Sequence, residues 1–330
     1  MSELKLAAEF PPASHEAWLE LVEKTLKGAS FDKKLVARTY DGLRLEPLYT
    51  RARDATPIAG HAAGRPWAVL QRIDLPNAKA FNTEALHELE NGATGLTLVG
   101  AGAPAANGYG LADISVEALA QALDNVLLDA APIRLDARGR VFGSAKNFLA
   151  LAEQRGFEIG KLNVDFAIDP LSALAVFGSV PELPEKSITK RAQFAADLDR
   201  HGFRGRVFIA DGRPVHDAGG SEAQELAYVL ACALTYWRAM EAAGLSLDHA
   251  RRQIAFLLAA DADQFLTTAK FRALRKLWAR IEEAAKISPA PIRLHAETAW
   301  RMMTRYEPAV NWLRATVAVM AAGTGGADAI

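Results

Sequence analysis

Cysteine is almost missing. The 330 residues contain one, Cys232, inside a helical pattern, so no disulfide framework and no cysteine-built zinc site can form; such usage fits a reducing compartment. An excess of charge of either sign is missing too. Lys and Arg number 38 against 39 Asp and Glu, a net charge of −1, and the basic residues are spread along the chain. That balance argues against nucleic acid and anionic membrane as partners. Long apolar runs are absent: LAYVLACAL, the most apolar stretch, is far short of a membrane span, and MSELKLAAEFPPASHEAW lacks the apolar centre of a signal peptide. A cytoplasmic protein is expected. No G-x-S-x-G, H-E-x-x-H or G-x-x-x-x-G-K-[ST] occurs, which removes three common catalytic or phosphate-binding signatures.

What is present is a beat. From Trp67 onward, short apolar runs (WAVLQRID, TGLTLVGA, APIRLDA, LNVDFAID, GRVFIAD, QIAFLLAA, APIRLHAET) alternate with amphipathic segments such as AFNTEALHELENG and SEAQELAYVLACALTYWRAMEAAG. Buried strands alternating with helices predict a parallel sheet under crossover helices. Seven such strands, with an eighth opening near Gly325-Gly326, predict an α/β fold of the (β/α)8 TIM-barrel type over residues 56–330, its eighth strand truncated or incomplete. An incomplete closure leaves strand edges exposed. Residues 1–55 differ. A helix at EAWLELVEKTL precedes two strand-like runs about Asp41-Gly42, the composition of a type I′ hairpin, and RARDATPIAGHAAGRP reads as a linker. This portion is expected to be an extended arm that contacts a partner.

Four local patterns have a functional reading and a plainer one. GAGAPA (100–105) nominally matches a dinucleotide loop, but Pro104 and the wandering PAANGYG that follows favour an ordinary βα loop. HAE (295–297) has the H-x-E of zinc deaminases without the P-C-x-x-C partner, so no metal is expected. His295 nonetheless falls at the carboxyl end of a predicted barrel strand, where such barrels assemble their sites. AKFRALRKLW (269–278) reads as a solvated basic face on an outer helix. Asp169 is placed to cap the segment after its strand.

Taken together, YDGLRLEPLYT, GRPWAVLQRID, DPLSALA, HDAGGSEAQELAYVLA, AKFRALRKLWA, RLHAETA and RATVAVMAAGTGG resemble, in order and spacing, the acyl-CoA-binding barrel of the methylmalonyl-CoA mutase family from about residue 31 onward. The resemblance implies an adenosylcobalamin-dependent isomerase of propionate metabolism that interconverts methylmalonyl-CoA and succinyl-CoA. In that family CoA threads the barrel axis, and a separate C-terminal domain holds the cobalamin through an Asp-x-His-x-x-Gly loop. The present sequence has no D-x-H-x-x-G, so no cobalamin-binding domain and no cofactor of its own are expected.

The family's mouth residues carry over poorly. The strand tyrosine beside the reacting acyl group falls on Arg72. The Tyr-His pair before DAGG falls on Arg213-Pro214, and proline offers no donor to a thioester carbonyl. His216, two positions on, is not a substitute. An Arg and a Ser that bind CoA become Gln253 and Ala255, and a glutamine two residues after His295 becomes Glu297. No catalytic residue is therefore expected; His295, Glu297, Gln253 and Arg72 are the possible residual acyl-CoA contacts. The resemblance implies a non-catalytic small subunit, active only as structural partner of a homologous large (alpha) subunit in a heterodimer, with adenosylcobalamin in that partner. Two other readings stay open: a substrate-barrel fragment of an active mutase that needs a cobalamin domain in trans, and a module that binds acyl-CoA or another anion through Arg72 and Arg213.

Overall fold

The computed structural model describes residues 13–50, 52, 66–137 and 141–330. Its residues group into two compact units, Met1–Thr56 and Pro57–Ile330. Most of the linker expected at 51–66 lies outside the described residues.

In the first unit, α1 (His15–Leu26) and α2 (Phe31–Leu35) are each started by a serine, Ser14 and Ser30, whose hydroxyl accepts a backbone N–H of the first turn. β1 (Ala37–Arg38) pairs antiparallel with β2 (Arg44–Leu45). The hairpin is real but its turn is not type I′. Asp41 keeps a negative φ and only Gly42, at φ +77°, is left-handed. Gly42 N–H bonds Thr39 O at 2.9 Å and Thr39 N–H bonds Leu43 O at 3.0 Å, which is a type I turn closed by a glycine bulge. No described residue of this unit is buried, and Tyr40, Leu43, Leu48 and Tyr49 are exposed.

The second unit is the barrel. Strands β3 (Leu70–Ile73), β4 (Gly95–Val99), β5 (Ile133–Asp136), β6 (Val164–Ile168), β7 (Arg206–Asp211), β8 (Ile254–Ala260) and β9 (Arg293–Thr298) form one parallel sheet in chain order. Each lies within an apolar run named above. Helices α3 (Ala78–Glu90), α4 (Val116–Ala122), α5 (Val141–Gln154), α7 (Pro184–Arg200), α9 (Glu222–Ala242), α11 (Gln264–Ala284) and α12 (Val310–Gly325) match the amphipathic segments; α6 (Pro170–Phe177), α8 (Arg213–Asp217) and α10 (Leu247–Arg252) are short additions. Every residue of β8 is buried, as a strand covered on both faces requires.

Closure falls to a very short eighth segment. Gly326, at φ +94°, ends α12 and turns the chain back. Ala329 then bridges both His295 on β9 and Ala68 ahead of β3. Ala68 N–H bonds Asp328 O at 2.9 Å and Leu70 N–H bonds Ile330 O at 2.8 Å, while Ala296 N–H bonds Ala329 O at 2.8 Å on the other flank. The eighth strand is thus as incomplete as expected, yet it pairs on both sides and covers the two edges.

The axis is packed. Ile209, Ala255 and Leu257 form a buried cluster with Ala167 against it. Ala167 sits at φ +49°, inside a register irregularity between Asp165 and Ile168, a bulge of the kind that re-aims side chains. The basic face expected on α11 is only half solvated. Arg272 and Lys276 are exposed, but Lys270 is 2% exposed and bonds Glu225 at 2.6 Å, and Arg275 turns inward to Asp328 at 3.2 Å. The reason is packing: α11 lies against α9 and α12 and, through Trp278 on Phe256, against β8, so part of the face expected to be solvated turns inward.

Candidate functional site

Alternation along a strand puts residues i and i+2 on one face. Four alternate strands use that rule in the same way near their carboxyl ends: Arg72 and Asp74 on and after β3, Arg134 and Asp136 on β5, Asp211 and Arg213 on and after β7, His295 and Glu297 on β9. Seven of these eight groups, all but His295, meet as three guanidiniums and four carboxylates.

Arg213 is at the centre. Its Nε donates to both Asp211 oxygens at 3.0 Å, its Nη2 to Asp211 at 2.7 Å and Asp136 at 2.8 Å, and its Nη1 to both Glu297 oxygens at 2.9 Å. Every side-chain nitrogen is engaged, and the backbone N–H also bonds Asp211 at 2.9 Å. Pro214 follows it in the first turn of α8. Glu297 takes two further arginines, Arg134 at 2.5 Å and Arg72 at 3.4 Å. Arg72 also donates to Asp74 at 3.0 Å and to the Ala105 carbonyl at 2.9 Å, so the GAGAPA loop serves as a backbone acceptor. Burial alone raises the Glu297 carboxyl, but Arg213, Arg134 and Arg72 hold it down at about 2. Burial lowers the Arg213 guanidinium, and Asp136, Asp211 and Glu297 more than reverse that. All these charges are accounted for internally.

Beside this lattice lies a cavity of about 240 Å³, lined by Arg134, Asp136, Asp169, Asp211 and Arg213 with apolar Ile209 and Leu257. Asp169 caps α6, as expected, accepting Ser172 N–H at 2.9 Å. It also accepts from the Ser172 hydroxyl at 2.7 Å, from Tyr236 OH, and from Asp211 N–H at 3.0 Å. Burial raises its carboxyl to about 6 despite the bonds from Ser172 and Tyr236.

Of the four expected contact residues, Arg72 and Glu297 meet in this lattice, whereas His295 and Gln253 lie outside it. His295 is fully buried; its Nε2 faces Asp165 at 2.9 Å and its Nδ1 has no partner. Burial lowers it to about 4 against the pull of Asp165, so the ring is neutral at physiological pH and donates Nε2–H to the carboxylate. Gln253 lies at the opposite end of the barrel, six residues before Ala259, whose register partner is Glu297. Its backbone carbonyl accepts the N–H groups of Val207 and Phe208. His216 faces away from the lattice, toward Glu225 at 3.5 Å and Asp261 at 3.3 Å. Among the described residues no cluster of His, Cys, Asp and Glu is suited to a metal ion, and no helix is long and apolar enough to cross a membrane.

Sequence reasoning missed Arg134, Asp136 and Asp211. The signal was there, as charged residues two apart ending otherwise apolar runs (PIRLDA, VFIADGR), but its meaning depends on four strands meeting.

Residues 46–330 match the family model of methylmalonyl-CoA mutase. The chain is 40% identical over 353 residues to the methylmalonyl-CoA mutase small subunit of Streptomyces virginiae, covering 99% of this chain and 54% of that protein. It is 31% identical to the small subunit from Propionibacterium freudenreichii subsp. shermanii, over 99% of this chain and 53% of that one. With the probable small subunit of Mycobacterium bovis the identity is 34%, over 91% and 49%. The chain thus spans about half the length of these curated relatives.

Proposed function

Since this chain belongs to the methylmalonyl-CoA mutase family, we propose that it acts as the non-catalytic small-subunit barrel of an adenosylcobalamin-dependent mutase, as structural partner of a homologous large chain. One observation carries the reading. At the mouth, where migration of a thioester group needs a donor toward its carbonyl oxygen, stand Pro214, with no N–H, and Arg213, whose donors are all engaged by Asp211, Asp136 and Glu297. An acyl-CoA entering here meets carboxylates instead of free donors.

The two histidines near the upper barrel do not fit a cobalt ligand: His216 and His295 are both buried against carboxylates. The cobalamin is assigned to the large chain. The first unit supports a partner role, since its described residues include exposed Tyr40, Leu43, Leu48 and Tyr49 and bury none of their own. The anion-module reading needs free guanidiniums at Arg72 and Arg213, and both are paired.

Co-expression with the cognate large chain, followed by size-exclusion chromatography and a mutase assay, tests the proposal. A stable heterodimer is expected, with turnover only when the large chain is present. Turnover of methylmalonyl-CoA by the isolated chain with adenosylcobalamin, or a large chain that never associates, overturns it.

A further inference from the structure

Three arginines, from β3, β5 and the start of α8, converge on one carboxylate. Arg213 holds both oxygens of Glu297 at 2.9 Å, and Arg134 and Arg72 each reach one oxygen, at 2.5 and 3.4 Å. Bidentate and multiple guanidinium contacts are the geometry by which proteins recognise a free carboxylate. The seven charges are not interchangeable in this respect. Arg213 keeps Asp211 and Asp136, and Arg72 keeps Asp74, when Glu297 is disregarded. Arg134 is 3% exposed and, among the described residues, has Glu297 as its one ion-pair partner. Its side-chain Nε is already without a hydrogen bond. A buried arginine left with no anion is strongly unfavourable. Arg134 and Arg213 also line the 240 Å³ cavity, which leaves room next to the receptor.

We infer that Arg72, Arg134 and Arg213 form a carboxylate receptor whose resident ligand is the Glu297 side chain, and that a small free monocarboxylate takes its place when that side chain is shortened. In the intact chain the tethered carboxylate outcompetes free acids, because an intramolecular ligand acts at an effective concentration set by its tether. The mouth is then closed to the carboxylate of an incoming acyl group by occupation. The inference stands on the mouth geometry and not on the subunit role, and it holds whether or not a large chain pairs with this one.

The test is Glu297→Ala titrated with formate, acetate and propionate against chloride at equal ionic strength, read by thermal unfolding and far-UV circular dichroism. The variant is expected to lose several degrees in Tm and to regain most of them saturably with one or more of the acids, while the parent chain stays flat. Adding Arg134→Ala to the variant abolishes the regain if the receptor is as described. Where Glu297→Ala does not fold in buffer, acetate is expected to restore the helical spectrum. A variant whose stability, or whose recovery from the unfolded state, follows chloride and carboxylate alike overturns the inference.

Discussion

Two buried ion clusters in the same barrel were built for different ends. In the outer wall, Lys270 on α11 bonds Glu225 on α9 at 2.6 Å with neither side chain exposed. The other Glu225 oxygen takes Ala259 N–H at 2.8 Å, and His216 on α8 closes the group toward Asp261. This cluster ties helices to β8, and no solvent or ligand reaches its centre. At the mouth, the lattice around Arg213 comes from four strand ends, keeps its Glu297 side chain 19% exposed, and borders a cavity. Both satisfy their charges. The wall cluster replaces apolar packing, whereas the mouth lattice stands where a ligand site would be assembled. Position in the fold, more than the chemistry of the pairs, decides which of them a small molecule could address.

Breaking the wall is expected to cost most. Glu225→Ala strands Lys270 and the Ala259 N–H together, and urea denaturation should register a loss of about 3–5 kcal/mol. Replacing both partners by apolar residues, Glu225→Leu with Lys270→Met, should recover much of it; a single variant as stable as the parent would remove the distinction. Arg213→Ala comes next, at about 3 kcal/mol, because it frees three carboxylates near enough to solvent to rehydrate in part. Arg72→Ala, whose side chain is 21% exposed and whose partner Glu297 keeps two arginines, is expected to cost about 1 kcal/mol or less.

The two histidines sharpen the contrast in pH with smaller effects. His295 is lowered by burial from 6.5 to about 4. The unfolded chain therefore takes up its proton first on acidification, and this group's contribution to stability falls between pH 6.5 and 4. For His216, burial lowers the ring but Asp261 and Glu225 raise it above 6.5 overall. Its contribution is complete below pH 6.5 and is lost as pH rises through the folded value. Replacing His295 by Gln should flatten the acidic limb of a Tm–pH curve, and His216→Gln the limb that lies above pH 6.5. Identical profiles for the two variants would contradict the assignment.

The barrel was legible because burial writes itself into composition. The runs around Leu96, Phe166 and Phe256 are apolar at nearly every position, and only a strand covered on both faces tolerates that. The short helices α8 and α10 were not legible, since five and six residues carry too little periodicity to stand out from a loop. At the mouth, Arg72, Arg213, Pro214 and Glu297 could be named from the chain order. Their pairing could not, because Glu297 meets Arg134 across 163 residues of sequence. Lys270 misled for a related reason: a lysine ahead of two arginines on a helix looks solvated until a glutamate 45 residues earlier is seen to reach it.

The three residues that complete the ring leave a seam. Between β8 and β9 six register pairs hold the sheet together, while the join from β9 to β3 runs through Ala329 and its immediate neighbours alone. Breathing of the cylinder should begin there, and the amides of Ala68, Leu70, Ala296 and Ile330 should trade their protons for deuterons well ahead of those along β8.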